Sequence, residues 1–305
     1  MTAAPPDAER RPGESAAAFE ARIHALSKRI DTPCGGGHMA WHVWGDGKHP
    51  ALLLFHGGFG SWRHWILNVV PLSRRFTVYA ADLPGLGESA PLDDEYTAEN
   101  IAATVSRGVD EIIAPPEPFH VAGFSFGGII GGHLAALQGK RVGSYVAVAA
   151  GGLGLRAGRI PELESMRAGM SGEALATLHR TNLSRLMLHN ADRIDDLAVH
   201  LQTETVRRAR ARSGRIPWTD TLARAMRRIH GDTAIAGIWG EKDVIDEFYL
   251  DKTRNLFQTI RPDCAFRVIE NAGHWVMYER PAAFNAALLE ILQSGCGRDP
   301  LHPGS

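Results

Sequence analysis

Apolar runs of strand length begin at Ala51, Thr77, Phe119, Gly143, Ala234 and Ala265. Stretches with helical spacing lie among them at Thr97 to Ile113, Gly127 to Leu137, Glu247 to Ile260 and Pro281 to Leu292. Upstream, Ala16 to Arg29 predicts a short helix, and Gly37 to Trp44 a strand feeding a Gly45-Asp46-Gly47 turn. This alternation predicts an α/β fold, a doubly wound and mostly parallel sheet covered by helices. Between Gly151 and His230 it stops, and leucine-, methionine- and arginine-rich helical patterns take over, as in an inserted helical cap. Open α/β sheets bind ligands at the carboxyl ends of their strands, so a cap placed there roofs the site and governs entry.

The expected organisation is therefore a flexible N-terminus over 1–15, a core over 16–150 and 231–293, a cap over 151–230, and a flexible tail over 294–305. The chain of 305 residues is 44% hydrophobic with a formal net charge of -1, enough to bury a large core. Balanced charge argues against nucleic acid, which needs a basic footprint. Cys34, Cys264 and Cys296 are an odd number at wide spacing, suiting neither a disulfide framework nor a metal site. The N-terminal stretch lacks the apolar core of a signal peptide, and no apolar run is long enough for a bilayer. A cytoplasmic location with no membrane partner is expected, with a homodimer left open.

The chemistry concentrates at strand ends. Gly123-Phe124-Ser125-Phe126-Gly127 closes an apolar run and opens a glycine-rich helix, the setting of a nucleophile elbow. The tight turn strains the serine backbone and leaves room only for small residues at Gly123 and Gly127. The Phe126 amide, at the start of the helix, is placed to hold a developing oxyanion. A second donor comes from the loop His56-Gly57-Gly58-Phe59-Gly60-Ser61, where Gly58 is best placed and Phe59 next. His56 is read as a brace for that loop, and Asp82, in a proline-glycine turn, as a carboxylate accepting backbone amides.

Two later strand ends complete the set. Trp239-Gly240-Glu241-Lys242-Asp243 delivers an acid, with Asp243 favoured over Glu241, which follows the glycine directly, and over Asp246, which suits the first turn of the next helix. Asn271-Ala272-Gly273-His274-Trp275 delivers the base, His274. Ser125, Asp243 and His274 follow in the chain order that elbow sites use.

With these motifs, nearly the whole chain resembles the α/β-hydrolase fold superfamily. Within it the text is similar to bacterial esterases and to the carbon-carbon hydrolases that cleave ring-fission products of aromatic catabolism. The resemblance implies a serine hydrolase: Ser125 as nucleophile, His274 as general base and then acid, Asp243 orienting the imidazole, and the amides of Phe126 and Gly58 holding the oxyanion. That mechanism requires no cofactor and no metal. The expected substrate is a small apolar or aromatic carboxylic ester or related carbonyl compound. Carbon-carbon cleavage is the alternative reaction, and a ligand-binding receptor built on the same fold is the alternative outside catalysis.

For substrate binding, Phe59, Trp62, Phe124 and Trp275 sit beside the motifs and are expected to line the pocket together with Phe126. From Leu153 to Arg228 the cap carries fourteen arginines, eight acids and no lysine. Arg207 to Arg212 reads as a solvated helix face. Arg185, with Arg180, is the better pocket candidate because it adjoins Leu183, Leu186, Met187 and Leu188.

Overall fold

The computed structural model describes residues 8–155, 161–167, 169–246 and 249–296. Helix α1 (Ala16–Ala25) is capped by Ser15, whose hydroxyl accepts the Ala18 N–H at 3.2 Å. A hairpin of β1 (Lys28–Cys34) and β2 (Gly37–Trp44) follows. The sequence leads one to expect helix as far as Arg29, but β1 is an edge strand with most side chains exposed, so no apolar alternation announces it. Then come β3 (Ala51–Phe55), the single turn α2 (Val69–Leu72), β4 (Thr77–Ala81) and α3 (Ala98–Ile112), capped by Thr97. The centre of the fold is β5 (Phe119–Phe124), α4 (Phe126–Gln138) and β6 (Val142–Val148).

All eight strands form one sheet in the order β1-β2-β4-β3-β5-β6-β7-β8, where β7 is Ala234–Gly240 and β8 is Ala265–Ile269. From β4 across to β8 every pairing is parallel, and only β2 runs the other way, antiparallel to both of its neighbours, β1 and β4. Every residue of β5 is buried, as a strand with covered faces and two strand neighbours requires. Beyond β7 lie α8 (Leu250–Ile260), the turn α9 (Val276–Glu279) and α10 (Pro281–Cys296). Helix α10 continues past Ser294, where the sequence predicts a loose tail; the remainder of that tail lies outside the described residues.

Between β6 and β7 the described residues hold helices and turns but no strand: α5 (Gly172–Asn182), α6 (Asp196–Arg208) and α7 (Thr221–Met226). Helix α7 packs on α4, with Leu222 lying so near Gly132 that a Cβ there would come within 2.3 Å of it. The segment expected to form a cap up to 230 thus ends in a helix packed against the core.

The N-terminal residues 8–15 are not free of the fold. Arg10 donates two hydrogen bonds to Asp196 at the start of α6, at 2.5 and 2.6 Å, and Glu14 receives Arg22. Glu20 of α1 pairs with buried Arg63 at 2.6 Å and with His200 of α6 at 2.7 Å. One acidic side chain therefore ties α1, the loop after β3 and the inserted helices together.

Candidate active site

Ser125 stands between β5 and α4 with φ of 50° and ψ of -113°, a left-handed conformation that a residue with a side chain rarely adopts. The surroundings impose it. A Cβ at Gly123 would lie 2.3 Å from the Gly127 carbonyl oxygen, and one at Gly127 would lie 2.4 Å from the Phe55 carbonyl oxygen. Strand and helix can approach this closely only with glycine on both sides of the serine. Phe126 then begins α4 as its first residue, where a backbone N–H has no acceptor within its own helix.

The other two motif residues arrive from neighbouring strands. Asp243 follows β7 and His274 follows β8, both buried. His274 Nδ1 donates to Asp243 Oδ2 at 2.7 Å, and the Ser125 hydroxyl donates to His274 Nε2 at 3.1 Å. Asp243 Oδ1 also accepts the Ile245 N–H at 3.0 Å, which fixes the carboxylate in the loop. Burial presses the His274 pKa down, but the charge and hydrogen bond of Asp243, helped by Asp246, more than offset it, so the net shift is upward.

The loop after β3 lies across from the serine. Gly57 is so near that a Cβ on it would meet the Phe124 ring at 2.9 Å and the Ser125 Cβ at 3.3 Å. Phe59 is held at φ of 56°. His56 accepts the Leu83 N–H on Nε2 at 2.9 Å and donates from Nδ1 to the Gly57 carbonyl at 2.8 Å, so it braces two loops as a neutral ring. Asp82 accepts backbone N–H groups of Trp62 and Glu88. Although burial opposes it, the contacts of His42, His56 and Trp62 hold its carboxyl far below the usual carboxylate range.

These residues floor a cavity of about 260 Å3. Ser125, His274, Gly57, Gly58, Phe59 and Phe124 line its lower side, and Leu153, Leu163, Leu186, Met187 and Trp218 of the inserted segment line the other. The wall is mostly apolar, and Phe59 and Trp218 are both substantially exposed.

Three expected pocket residues are elsewhere. Trp62 is fully buried, stacked on His24 at 5.4 Å and tilted against Trp44, so its ring fills the core beside β2. Trp275 stacks on Tyr278 at 4.3 Å and donates its indole N–H to the His64 carbonyl at 2.9 Å, supporting the site from behind. Arg185 turns outward, donating to the Glu162 carbonyl at 2.9 Å and pairing with Glu164, because a guanidinium near the surface gains partners without giving up water. Arg180 likewise pairs with Glu173.

Three further residues lie near the centre; the sequence offers Asp246 only as a rival to Asp243 and does not point to the other two. His64 lines the cavity and accepts the Gly57 N–H on Nδ1 at 3.2 Å; burial and the neighbouring His56 and His274 keep its pKa well below the ordinary histidine value. Asp246 also lines the cavity. Glu279, buried behind His274, accepts the N–H groups of Gly273, His189 and Asn190. Their roles depend on contacts between distant segments, and only the closeness of Asp246 to Asp243 left a trace in the sequence.

A model of the Alpha/beta hydrolase family matches residues 52–287. The chain belongs to that family. It is a hydrolase. It is 28% identical over 262 residues to the dihydrolipoyllysine-residue acetyltransferase component of an acetoin cleaving system from Pseudomonas putida, covering 85% of this chain and 68% of that one. It therefore spans about two thirds of that relative's length. Among solved structures it resembles carboxylesterase CesB from Bacillus subtilis, with a TM-score of 0.70, 19% identity, and 92% and 96% of the two chains covered. A point mutant of the meta-cleavage product hydrolase CumD aligns with a TM-score of 0.68 at 21% identity over 88% of this chain and 98% of that one. At such identities these two likenesses concern the fold.

Proposed function

We propose that the protein is a serine-dependent carboxylic ester hydrolase acting on a small, largely apolar substrate. The observation that carries this reading is the continuous hydrogen-bonded line from Ser125 through His274 to Asp243 at the floor of an apolar cavity. His274 Nε2 takes the Ser125 proton as the oxygen attacks the ester carbonyl, and later returns a proton to the leaving alcohol. Asp243 keeps the proton on Nδ1, so that Nε2 is free to accept, and it stabilises the imidazolium that forms. The oxyanion lies against the amides of Phe126 and Gly58, each such donor being worth about two to three orders of magnitude in rate. Water then repeats the attack on the acyl-enzyme with the same base. The helices between β6 and β7 act as the cap and shape the acyl pocket. Carbon-carbon cleavage of a ring-fission acid is less well served, because Arg185 is engaged by Glu162 and Glu164 and does not offer a carboxylate anchor.

A fluorophosphonate probe tests this. The adduct is expected on Ser125, and Ser125→Ala is expected to lower turnover of short aryl esters by about six orders of magnitude. An adduct on another serine, undiminished turnover in the variant, or labelling of a wild-type protein that turns over no ester overturns the reading.

A further inference from the structure

We propose that Asp246 selects the substrate by charge, favouring a molecule that carries a quaternary ammonium or similar cationic group and disfavouring one that carries a carboxylate. The inference names a substrate class for the ester-hydrolase reading above and rests on it. Asp246 lies three positions beyond Asp243 on the loop after β7 and lines the same cavity as Ser125 and His274. It takes no part in the Ser125–His274–Asp243 line. Oδ2 accepts the indole N–H of Trp239 at 2.7 Å, and the main chain is pinned at both sides, Asp246 N–H to the Asp243 carbonyl at 3.0 Å and Tyr249 N–H to the Asp246 carbonyl at 2.7 Å. The carboxyl group is thus held in place at the wall.

Its surroundings make the charge consequential. Burial first, and then the neighbouring Asp243 carboxylate, push the Asp246 pKa up to about 6, while the Trp239 hydrogen bond and His274 pull the other way. At mildly alkaline pH the group is ionised, facing a cavity whose other described lining residues include no lysine or arginine. A charge bordering an apolar space has few solvent dipoles to screen it, so a substrate cation gains and a substrate anion loses more there than at an open surface. The same cavity carries the exposed rings of Phe59 and Trp218, whose faces attract cations as well. A carboxylate, two aromatic rings and an apolar wall together make a site suited to an alkylated ammonium group.

Binding of benzyltrimethylammonium and of phenylacetate, measured by titration calorimetry at pH 8 on the wild type, Asp246→Asn and Asp246→Glu, tests the proposal without relying on turnover. Asparagine keeps an acceptor for the Trp239 indole and removes the charge. The expected result is that the cation binds the wild type about tenfold or more tightly than it binds Asp246→Asn. Phenylacetate should show the reverse order, and Asp246→Glu should recover much of the preference for the cation. Equal cation binding by the wild type and Asp246→Asn overturns the proposal. Failure of the wild type to hydrolyse any ester overturns the hydrolytic reading instead, and the binding comparison remains decisive on its own.

Discussion

Glu279 Oε2 accepts the Gly273 N–H at 2.6 Å, so the residue next to His274 is held by a carboxylate five positions downstream of the histidine. The same carboxylate takes the N–H groups of His189 and Asn190 and the Asn190 side-chain amide. One buried acid thereby fastens the histidine loop to the segment between α5 and α6. All four partners are donors, so Glu279→Gln should place an amide NH2 against an N–H and leave a buried donor unpaired. The expected loss is about 1–3 kcal/mol of unfolding free energy, with a fall in kcat as His274 loses its support. Urea denaturation alongside steady-state kinetics checks both effects, and a variant matching the wild type in each contradicts them.

Asp243→Asn should reduce kcat by about four orders of magnitude, because an amide favours the wrong imidazole tautomer and no longer stabilises the imidazolium. Asp82→Asn should instead lower stability while most of the turnover per folded molecule survives. Asp82 serves the backbone N–H groups of Trp62 and Glu88 and has no contact with Ser125 or His274 among its hydrogen bonds. Kinetics normalised to the folded fraction separate the two variants.

Activity should fall as pH drops, since protonated His274 cannot accept the Ser125 proton. The His274 pKa is raised, burial being outweighed by Asp243 and Asp246, so the midpoint of kcat/KM on a neutral ester should lie above the ordinary histidine value of 6.5. Titration of the specificity constant measures it. A profile flat down to about pH 4 would exclude His274 as the base.

Glu20 should act as an acid-labile latch on the fold. Burial opposes its ionisation, but the hydrogen bond of His200 and the Arg63 guanidinium bring its pKa down to about 2 from 4.5. A carboxyl whose pKa is depressed in the folded state contributes stability above its unfolded pKa. That contribution is lost as pH falls from 4.5 toward 2. Glu20→Gln should remove the acid-dependent part and cost about 3 kcal/mol at neutral pH, because Arg63 is left buried without its charge partner. Thermal unfolding across pH 3 to 7, roughly the range of carboxyl titration, provides the measurement.

The order of apolar runs was enough to settle the fold class, because a strand covered on both faces must be continuously hydrophobic and must be separated from the next parallel strand by a crossover. The same local logic marked Ser125, Asp243 and His274: Ser125 directly follows the buried strand β5, and Asp243 and His274 lie on the loops that leave β7 and β8. Gly123 is demanded by the backbone of Gly127 four residues on, whereas Gly127 is demanded by the carbonyl of Phe55 on the neighbouring β3. Local pattern failed where a neighbour distant in sequence set the outcome. Strand β1 is polar and exists because β2 pairs with it. Trp62 and Trp275 are large aromatics beside the motifs, but whether a ring faces substrate or core depends on which distant residues surround it, here His24 and Trp44 for one and Tyr278 and His64 for the other. Arg185 found Glu164 at the surface, Asp246 was tied at the cavity wall to the buried Trp239, and Glu279 collected donors from two segments. Sequence determines which residues can do the chemistry through short-range backbone constraints; which of them face the same space is decided by packing between segments far apart in the chain.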